Sequence, residues 1–368
     1  MENQLFYKIA LSLIPGIGGV LARNLIAYVG DIEAIFKEKL NSLKKIPGIG
    51  EVNARRIRNP DVIEKAKAEL EYVRGNKIDV LFYTDKNYPR RLLPCPDAPV
   101  LIYTKGEMNL DFERVVSVVG TRNATVNGKE LCDNLIREMA ERNYRILIIS
   151  GLAYGIDIQA HKSAITYNLP TVAVLGHGMD LLYPSLHAAT AEKMQGNGGL
   201  VTDFPSGSKI DPPNFIRRNR IIAGLADATI VVESGIKGGA LITADIAASY
   251  NRDVFACPGR AGEPWSAGCN KLIKNNGAAM IESVDDLEYM MRWEETDERN
   301  VAVQQQLFVD LTDEESALCG LLKNRGPLFI DQISSDSGLP MSKVSSCLLN
   351  LEFKGVVKAL PGKMYKLK

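Results

Sequence analysis

The residues best suited to chemistry in this chain are concentrated in the run from 214 to 220, which has the sequence Asn-Phe-Ile-Arg-Arg-Asn-Arg. A guanidinium donates hydrogen bonds in a planar fork that matches a phosphate, and an aromatic ring offers a face on which a nucleobase can stack. A solvated surface helix is the alternative, but Phe215 and the apolar residues 221–223 disfavour it. The run therefore indicates a nucleic-acid site with these candidates: Phe215, Arg217, Arg218, Asn219 and Arg220.

Glycine-rich turns form a second group of candidates. They follow apolar runs and precede helical patterns at 120–123 (Gly-Thr-Arg-Asn), at 150–157 (Ser-Gly-Leu-Ala-Tyr-Gly-Ile-Asp) and at 233–244, which contains Gly239. Glycine lets the backbone approach a phosphate closely, and the free N–H groups of a helix N-terminus favour an anion. Arg122 adds a positive charge to the first turn, although a simple turn glycine beside a surface arginine is the alternative there. Several such turns with few acids favour an extended polyanion over one small ligand.

Patterns typical of common catalytic and cofactor sites do not occur in the sequence. Gly120 does not begin a GxGxxG motif, and no acid that would hold an adenosine ribose follows Ile149, which disfavours a dinucleotide. Walker-type lysine loops, GxSxG turns and clusters of metal-binding carboxylates are missing as well. Asp157 and His161 are four residues apart and can share a helix face, and we interpret the two as structural rather than catalytic. The sequence therefore predicts no metal, no cofactor and no enzymatic activity.

Composition leaves the nature of the partner open. The chain has 44 Lys and Arg against 44 Asp and Glu, so binding to nucleic acid must depend on local clusters. Its six cysteines are scattered without a CxxC pair, which indicates reduced thiols in the cytoplasm and argues against zinc. No apolar run reaches the roughly 20 residues of a membrane helix, and the first residues lack the features of an export signal.

A parallel sheet is predicted to position the candidate residues. Continuous apolar runs recur at 115–119, 146–149, 172–175, 228–232 and 254–257. Runs that are apolar at every position indicate strands buried on both faces, and their alternation with helical patterns is typical of a Rossmann-like, doubly wound, mostly parallel α/β fold. Ligands of such sheets bind at the carboxyl ends of the strands, near a topological switch point. The glycine turns lie at these ends, so we expect them to meet.

An N-terminal helical domain of SAM or helix-hairpin-helix type is predicted for residues 1–75. The motif Ile-Pro-Gly-Ile-Gly occurs at 14–18 and again at 46–50, each time before a small-residue helix that contains arginine. The repeat indicates either contact between glycine N–H groups and a phosphate or a tight connector between helices.

The remaining boundaries follow from changes in composition. The Rossmann-like domain spans 76–292, with a strand-containing connection at 76–112, and a charged, Gln-rich linker follows at 293–310. Residues 311–368 show the pattern of a winged helix: a capping-box start, three helices and a hairpin. The three helices are predicted at about 313–323, 330–337 and 341–354.

Six sequence blocks resemble the DprA/Smf family, and their order and spacing agree across the whole α/β domain. The blocks are VVGTR at 118–122, SGLAYGIDIQAH at 150–161, AVLGHGMDLLYP at 173–184, FIRRNRIIAGL at 215–225, GALITA at 239–244 and VFACPG at 254–259. The flanking helical and winged-helix domains resemble the family's full-length architecture as well.

The resemblance implies a DNA-binding protein rather than an enzyme. It implies binding of single-stranded DNA on the Rossmann-like domain, a homodimer formed through that domain, and delivery of the strand to RecA in natural transformation. It assigns Arg122 to a backbone phosphate, Phe215 to base stacking and the 150–155 loop to close backbone approach. The predicted DNA-binding residues are Gly120, Thr121, Arg122, Ser150, Gly151, Leu152, Ala153, Gly155, Lys209, Phe215, Arg217, Arg218, Asn219, Arg220 and Gly239.

Two positions depart from the family's pattern. Some relatives have a lysine where this chain has Pro212, and Lys209 is the nearest lysine that could replace it. The usual Ser-Gly-Ser before Leu-Ile-Thr is here Gly238-Gly239-Ala240, which removes two hydroxyls from the loop. These changes alter individual contacts rather than the class of ligand.

Two other classes of protein fit parts of the sequence. One is a nucleotide-cleaving enzyme of the lysine-decarboxylase-like or N-glycosidase type, which has a Gly-Gly-x-Gly-Thr-x-x-Glu loop. Here Gly238-Gly239 is followed by Ala240 and then by Leu241-Ile242 in place of the Gly-Thr turn, and Asp245 stands where the glutamate would fall. The other is a regulator whose winged helix binds duplex DNA, and it should have a basic recognition helix. The predicted third helix has Lys343 and Lys354 but also Glu352, which favours a protein-interaction or regulatory role.

Overall fold

The computed structural model describes residues 2–293, 311–360 and 363–367, and the chain forms two compact units, residues 1–294 and 295–368. The predicted linker lies outside the described residues except for Trp293, which is buried edge-on against Tyr144 with ring centroids 5.8 Å apart. Within the described ranges, no helix combines the length and the apolar character needed to cross a bilayer.

Six helices form the N-terminal part of the first unit. They are α1 (Glu2–Ser12), α2 (Gly19–Val29), α3 (Ile32–Lys37), α4 (Leu40–Leu43), α5 (Glu51–Ile57) and α6 (Pro60–Gly75). Their buried side chains, among them Ile9, Leu25 and Ile57, pack in one cluster with Phe82 and Leu101 of the adjoining sheet. This shared apolar burial joins the helical part to the α/β part.

A nine-stranded sheet forms the centre of the first unit. Its strands are β1 (Asp79–Phe82), β2 (Leu101–Lys105), β3 (Arg114–Val119), β4 (Ile146–Ser150), β5 (Thr171–Val174), β6 (Gly198–Thr202), β7 (Ala228–Val231), β8 (Asp253–Ala256) and β9 (Ala279–Met280). The order is β1-β2-β6-β5-β4-β3-β7-β8-β9, with β3 to β9 parallel and β2 antiparallel to both β1 and β6. The chain passes outward from β3 to β6 and then returns to β7 on the other side of β3. The switch point therefore lies between β3 and β7, and the predicted doubly wound fold is confirmed.

Strand β6 was missing from the sequence prediction. It begins with Gly198 and Gly199, whose φ angles of 132° and 151° lie where glycine is favoured. Each glycine also lies against the backbone of a neighbouring strand, at Thr171 and at Lys105. Because glycine has no apolar side chain, the two glycines shorten the apolar run of β6. The run that remains is too short to be recognised as a strand from hydrophobicity alone.

Helices cover both faces of the sheet. They are α7 (Val126–Glu141), α8 (Ile156–Thr166), α9 (Ala188–Met194), α10 (Pro212–Leu225), α11 (Gly239–Ser249), α12 (Ala267–Lys274) and α13 (Val284–Met291). Neighbouring residues of β3 enter different cores: Val118 belongs to the cluster that contains Leu135 of α7, and Val119 to the cluster that contains Ile222 of α10. The carboxyl ends of the strands are left for the loops that precede α7, α8, α10 and α11.

The second unit is a winged-helix domain. Its elements are α14 (Asp313–Arg325), β10 (Leu328–Phe329), α15 (Ile330–Ser337), α16 (Met341–Phe353), β11 (Val357–Leu360) and β12 (Met364–Leu367), with the antiparallel strand order β10-β12-β11. The predicted capping box is present at Thr312 and Glu315, whose reciprocal hydrogen bonds measure 3.3 and 3.0 Å. This domain and the helical N-terminal part confirm the predicted fold class.

Lys343 of α16 and Lys354, which directly follows the helix, are both ion-paired within the domain. Lys354 Nζ lies 2.6 Å from Glu315 Oε2, and Lys343 pairs with Glu314. Because these charges are neutralised locally, they contribute less attraction to duplex phosphates. A protein-interaction role for the domain stays a prediction.

Candidate nucleic-acid interface

A groove of about 450 Å³ opens at the switch point. Its walls come from the turn after β3, the loop after β4, the first turns of α10 and the start of α11. The predicted DNA-binding residues that line it are Gly120, Thr121, Arg122, Ala153, Phe215, Arg218, Asn219 and Gly239. The topology thus brings together candidates from four separate segments of the chain.

Arg122 gives the groove an exposed positive charge. The N–H of Thr121 donates to the carbonyl oxygen of Glu233 at 2.7 Å, which ties the turn after β3 to the end of β7. The next residue, Arg122, is exposed, and its guanidinium carbon lies 5.8 Å from the centroid of the Phe215 ring. Within the described ranges Arg122 forms no ion pair, so its charge is available to an anion.

Phe215 is half-buried in the first turn of α10 and packs against the chain just after β5. A Cβ atom added to Gly176 would lie 2.8 Å from Phe215 Cδ1, so glycine is needed at 176 to admit the ring. The ring also contacts Tyr183, with centroids 5.8 Å apart and ring planes inclined at 41°. Sequence reasoning missed Tyr183 as a site residue, although it lies in the block 173–184 that resembles the family.

The N-terminus of α7 is closed by a protein carboxylate. Glu233 accepts hydrogen bonds from the N–H of Thr125 at 2.9 Å and from Thr125 Oγ1 at 2.6 Å. Thr125 Oγ1 in turn accepts from the N–H of Gly128 at 3.0 Å. In a dinucleotide-binding Rossmann fold the helix after the first strand holds the pyrophosphate, and here Glu233 takes up that position.

The N-terminus of α11 is instead open to the groove. At α8, the N–H of Ile156 donates to the carbonyl oxygen of Thr121 at 3.2 Å, so the turn after β3 covers that helix end. Helix α11 follows Gly238, and the N–H groups of Gly239 and Ala240 in its first turn donate no hydrogen bond within the described ranges. Both residues line the groove together with Gly238. Among these three helix ends, α11 therefore offers the groove its N–H groups and the positive end of its dipole.

Arg218, which the sequence predicts as a DNA-binding residue, is buried in the wall of the groove. The residue is 4% exposed, and its Nη1 donates to the carbonyl oxygens of Gly151, at 2.6 Å, and of Val174. Burial lowers the pKa of Arg218 to about 10, and the negative charge of the buried Asp157 acts in the opposite direction. A Cβ atom at Gly151 would lie 2.5 Å from Nη1, so the glycine makes room for the guanidinium. Arg218 thus links the ends of β4 and β5 in the wall of the groove.

Arg217 and Arg220 face a different cleft from Phe215, which corrects the prediction that all three belong to one site. Arg217 lies 5.1 Å from the centroid of the Phe204 ring and 3.4 Å from Asp203, and Arg220 lies 2.5 Å from the same carboxylate. Both line a cleft of about 740 Å³ beside the first Ile-Pro-Gly-Ile-Gly turn. Residues three apart on a helix share a face, whereas their intermediate neighbours point elsewhere.

The 150–155 loop contributes mainly through its backbone and packing. Ser150 is fully buried, and its Oγ donates to the carbonyl oxygen of Val118 at 2.6 Å. Leu152 is also fully buried, with a φ of 59°, and Ala153 lines the groove. Lys209 is exposed in the loop before α10 and does not belong to the residues that line the groove.

Asp157 and His161 do not bond to each other. His161 is fully buried with its Nδ1 2.8 Å from Thr171 Oγ1, and that hydroxyl donates to the carbonyl oxygen of Ile148 at 3.0 Å. Thr171 must therefore accept from His161, so Nδ1 carries the proton. Nε2 has no hydrogen-bond partner among the residues that the structure describes, and protonation there would bury an unpaired N–H.

We expect acid to destabilise the fold through His161. Burial, helped by the charges of Arg218 and His187, lowers the pKa of His161 to about 3, whereas an unfolded histidine titrates near 6.5. The folded state favours neutral His161, so this contribution to stability is complete above about pH 6.5 and is lost as the pH falls toward 3. In urea unfolding between about pH 6 and pH 4, the stability of His161→Asn should decline less steeply than that of the wild type. Equal slopes would contradict the neutral buried histidine.

The fold and the groove define a class of protein: a Rossmann-like α/β protein with a helical N-terminal part and a winged helix, whose first phosphate position is filled by Glu233. Residues 79–292 match the family model described as DNA recombination-mediator protein A. Residues 305–363 match the DprA winged helix domain, and residues 9–59 match the SAM-like helix-hairpin-helix tandem. The chain belongs to the DprA/Smf family of DNA recombination-mediator proteins.

Individual relatives cover most of the chain. Protein Smf of Synechocystis sp. is 32% identical over 392 residues, which cover 98% of each chain. DNA processing protein DprA of Bacillus subtilis is 36% identical over 233 residues, 63% of this chain and 76% of that one.

Two solved structures share the fold. DNA processing protein A of Streptococcus pneumoniae matches with a TM-score of 0.65 and 30% identity over 77% of this chain and 97% of that one. The protein from Helicobacter pylori, described for its unique single-stranded DNA binding mode, matches with a TM-score of 0.53 and 26% identity over 59% of this chain and 96% of that one.

Proposed function

We propose that this protein binds single-stranded DNA in the switch-point groove and acts as a recombination mediator, by binding rather than by catalysis. The observation that carries the proposal is the convergence of three groups in one groove: the unpaired Arg122, the open N-terminus of α11 and the ring of Phe215. The first two suit a phosphate, and the third suits a base.

The aromatic ring favours a single strand over a duplex. Bases in a duplex are stacked on each other, so Phe215 can stack only on a base that has left the helix. Phosphates alone would not discriminate, because both forms of DNA present them. The single-stranded DNA binding mode described for the Helicobacter pylori relative supports the same ligand class.

The family resemblance extends the proposal to the protein's partners and to its cellular compartment. It implies that the protein is a homodimer formed through the α/β domain and transfers the bound strand to RecA in natural transformation. The six cysteines are free thiols, which suits the reducing cytoplasm.

A salt-titrated comparison of affinities tests the proposal. Purified protein should bind an unpaired oligonucleotide roughly 5- to 150-fold more tightly than the duplex of the same sequence at one salt concentration, as expected for the stacking of one base. Equal affinity for both forms at every salt concentration would contradict it.

The same protein tests the RecA step. When the protein is added to RecA and single-stranded DNA, the lag before filament growth should shorten. An unchanged lag would contradict the transfer to RecA while leaving strand binding intact.

A further inference from the structure

Tyr183 is an exposed aromatic residue in the wall of the groove. Its side chain is 43% exposed, and its hydroxyl has no hydrogen-bond partner among the residues that the structure describes. One side of the ring contacts Phe215, with the centroids 5.8 Å apart. An aromatic ring that keeps a face open inside a binding groove is suited to stacking on a ligand.

A buried histidine holds Tyr183 in place. His177 is 1% exposed, and its Nδ1 lies 2.8 Å from the carbonyl oxygen of Gly178, so Nδ1 carries the proton and donates it. Nε2 is therefore an acceptor, and the N–H of Tyr183 donates to it at 3.3 Å. Thr202 Oγ1 donates to the carbonyl oxygen of His177 at 2.9 Å, which ties the histidine to the end of β6. The backbone that carries the Tyr183 ring is thus fixed to the buried sheet.

The distance between the two rings shows how bases can be accommodated. A base held between two rings needs them about 7 Å apart, twice the 3.4 Å rise of stacked bases. The centroids of Tyr183 and Phe215 are only 5.8 Å apart and their planes are inclined at 41°, so no base fits between them. A base that stacks on Tyr183 must therefore lie on the side of the Tyr183 ring turned away from Phe215, apart from any base that contacts Phe215.

We infer that Tyr183 stacks on a second base of the bound strand and, with Phe215, determines the preference for unpaired DNA. This inference rests on the proposed function, because it concerns the same groove. A tyrosine that served only the packing of its loop would affect single and double strands alike, whereas a stacking residue affects the unpaired strand.

Three variants test the role of the ring. Tyr183→Ala should weaken binding of oligo-dT by roughly 5- to 150-fold and leave affinity for duplex DNA unchanged. Tyr183→Phe keeps the ring and should bind oligo-dT like the wild type. Tyr289→Ala is the matched control, since Tyr289 is 84% exposed on α13 and does not line the groove, and it should change neither affinity.

An oligonucleotide of abasic sites separates stacking from backbone contact. Wild type and Tyr183→Ala should bind it equally, because it has no base to stack. Two results would contradict the inference while leaving the proposed function intact. Tyr183→Ala could lose as much affinity for abasic DNA as for oligo-dT, or it could bind oligo-dT as tightly as the wild type does. If the wild type showed no preference for single strands over duplex DNA, both the inference about Tyr183 and the proposed function would be wrong. Should Tyr183→Ala not fold by circular dichroism, Tyr183→Leu replaces it, since leucine keeps apolar volume without a flat face.

Discussion

Replacing Arg122 with alanine should weaken the binding of single-stranded DNA by roughly 10- to 100-fold, the value of a hydrogen bond to a charged group. The slope of log K against log salt should also become shallower by about 0.7, the contribution of one phosphate on a single strand. The fold should be unaffected, because Arg122 is exposed, forms no ion pair within the described ranges and only lies over Phe215. Fluorescence anisotropy at several salt concentrations gives both quantities.

Two further variants make the Arg122 result specific. Arg122→Lys keeps the charge but not the planar fork, so it should retain the salt slope with an intermediate affinity. Arg137→Ala removes an exposed arginine far along α7, whose side chain is 44% exposed beside Glu141, and should behave like the wild type. Equal losses from Arg122→Ala and Arg137→Ala would mean that the DNA is attracted by general charge and not held in the groove.

Replacing Arg218 with alanine should instead destabilise the protein, by about 3–5 kcal/mol in urea unfolding at neutral pH. The substitution leaves the buried Asp157 without its nearby cation and the carbonyl oxygens of Gly151 and Val174 without their donor. The sequence predicts Arg218 as a DNA-binding residue, whose loss would leave the fold intact, whereas its burial at 4% exposure gives it a structural role. Any loss of DNA binding would follow from a displaced wall of the groove.

The neighbouring arginine provides the control. Arg217 is one residue away on the same helix, and its side chain is 57% exposed with an ion pair at 3.4 Å, so Arg217→Ala should change the free energy of unfolding by less than about 1 kcal/mol. Arg218→Lys should recover part of the stability, since a lysine supplies charge but cannot donate in the same fork. If Arg218→Ala were as stable as Arg217→Ala, the guanidinium would not be needed to join β4 and β5.

Much of the fold can be predicted from the sequence because local patterns report burial directly. The apolar runs at 115–119 and 228–232 correspond to β3 and β7, and the three predicted helices of the winged-helix domain agree with α14, α15 and α16 to within two residues. Strands β6 and β9 are exceptions: Gly198 and Gly199 carry no hydrophobic signal at the start of β6, and β9 has only two residues, Ala279 and Met280.

The candidate site could be located from sequence to the ends of the strands but not resolved into individual roles. The glycine turns and the basic run had to lie near the switch point once the strands were parallel. Whether an arginine faces solvent, a carbonyl or a carboxylate depends on the phase of α10 against the sheet. The phase of α10 points Arg218 inward and turns Arg217 and Arg220 toward Asp203. The exposed, unpaired arginine of the groove is Arg122, which lies in the turn after β3.

The sequence by itself determined the class of fold, the order of its parts and the segments that supply the groove, because periodicity and turn residues are encoded locally. Tertiary structure alone decided that Glu233 closes the N-terminus of α7 while α11 stays open, and that Tyr183 stands beside Phe215. These contacts join residues that are distant in the chain. They depend on how the crossover connections arrange the strands, which a local sequence pattern does not report.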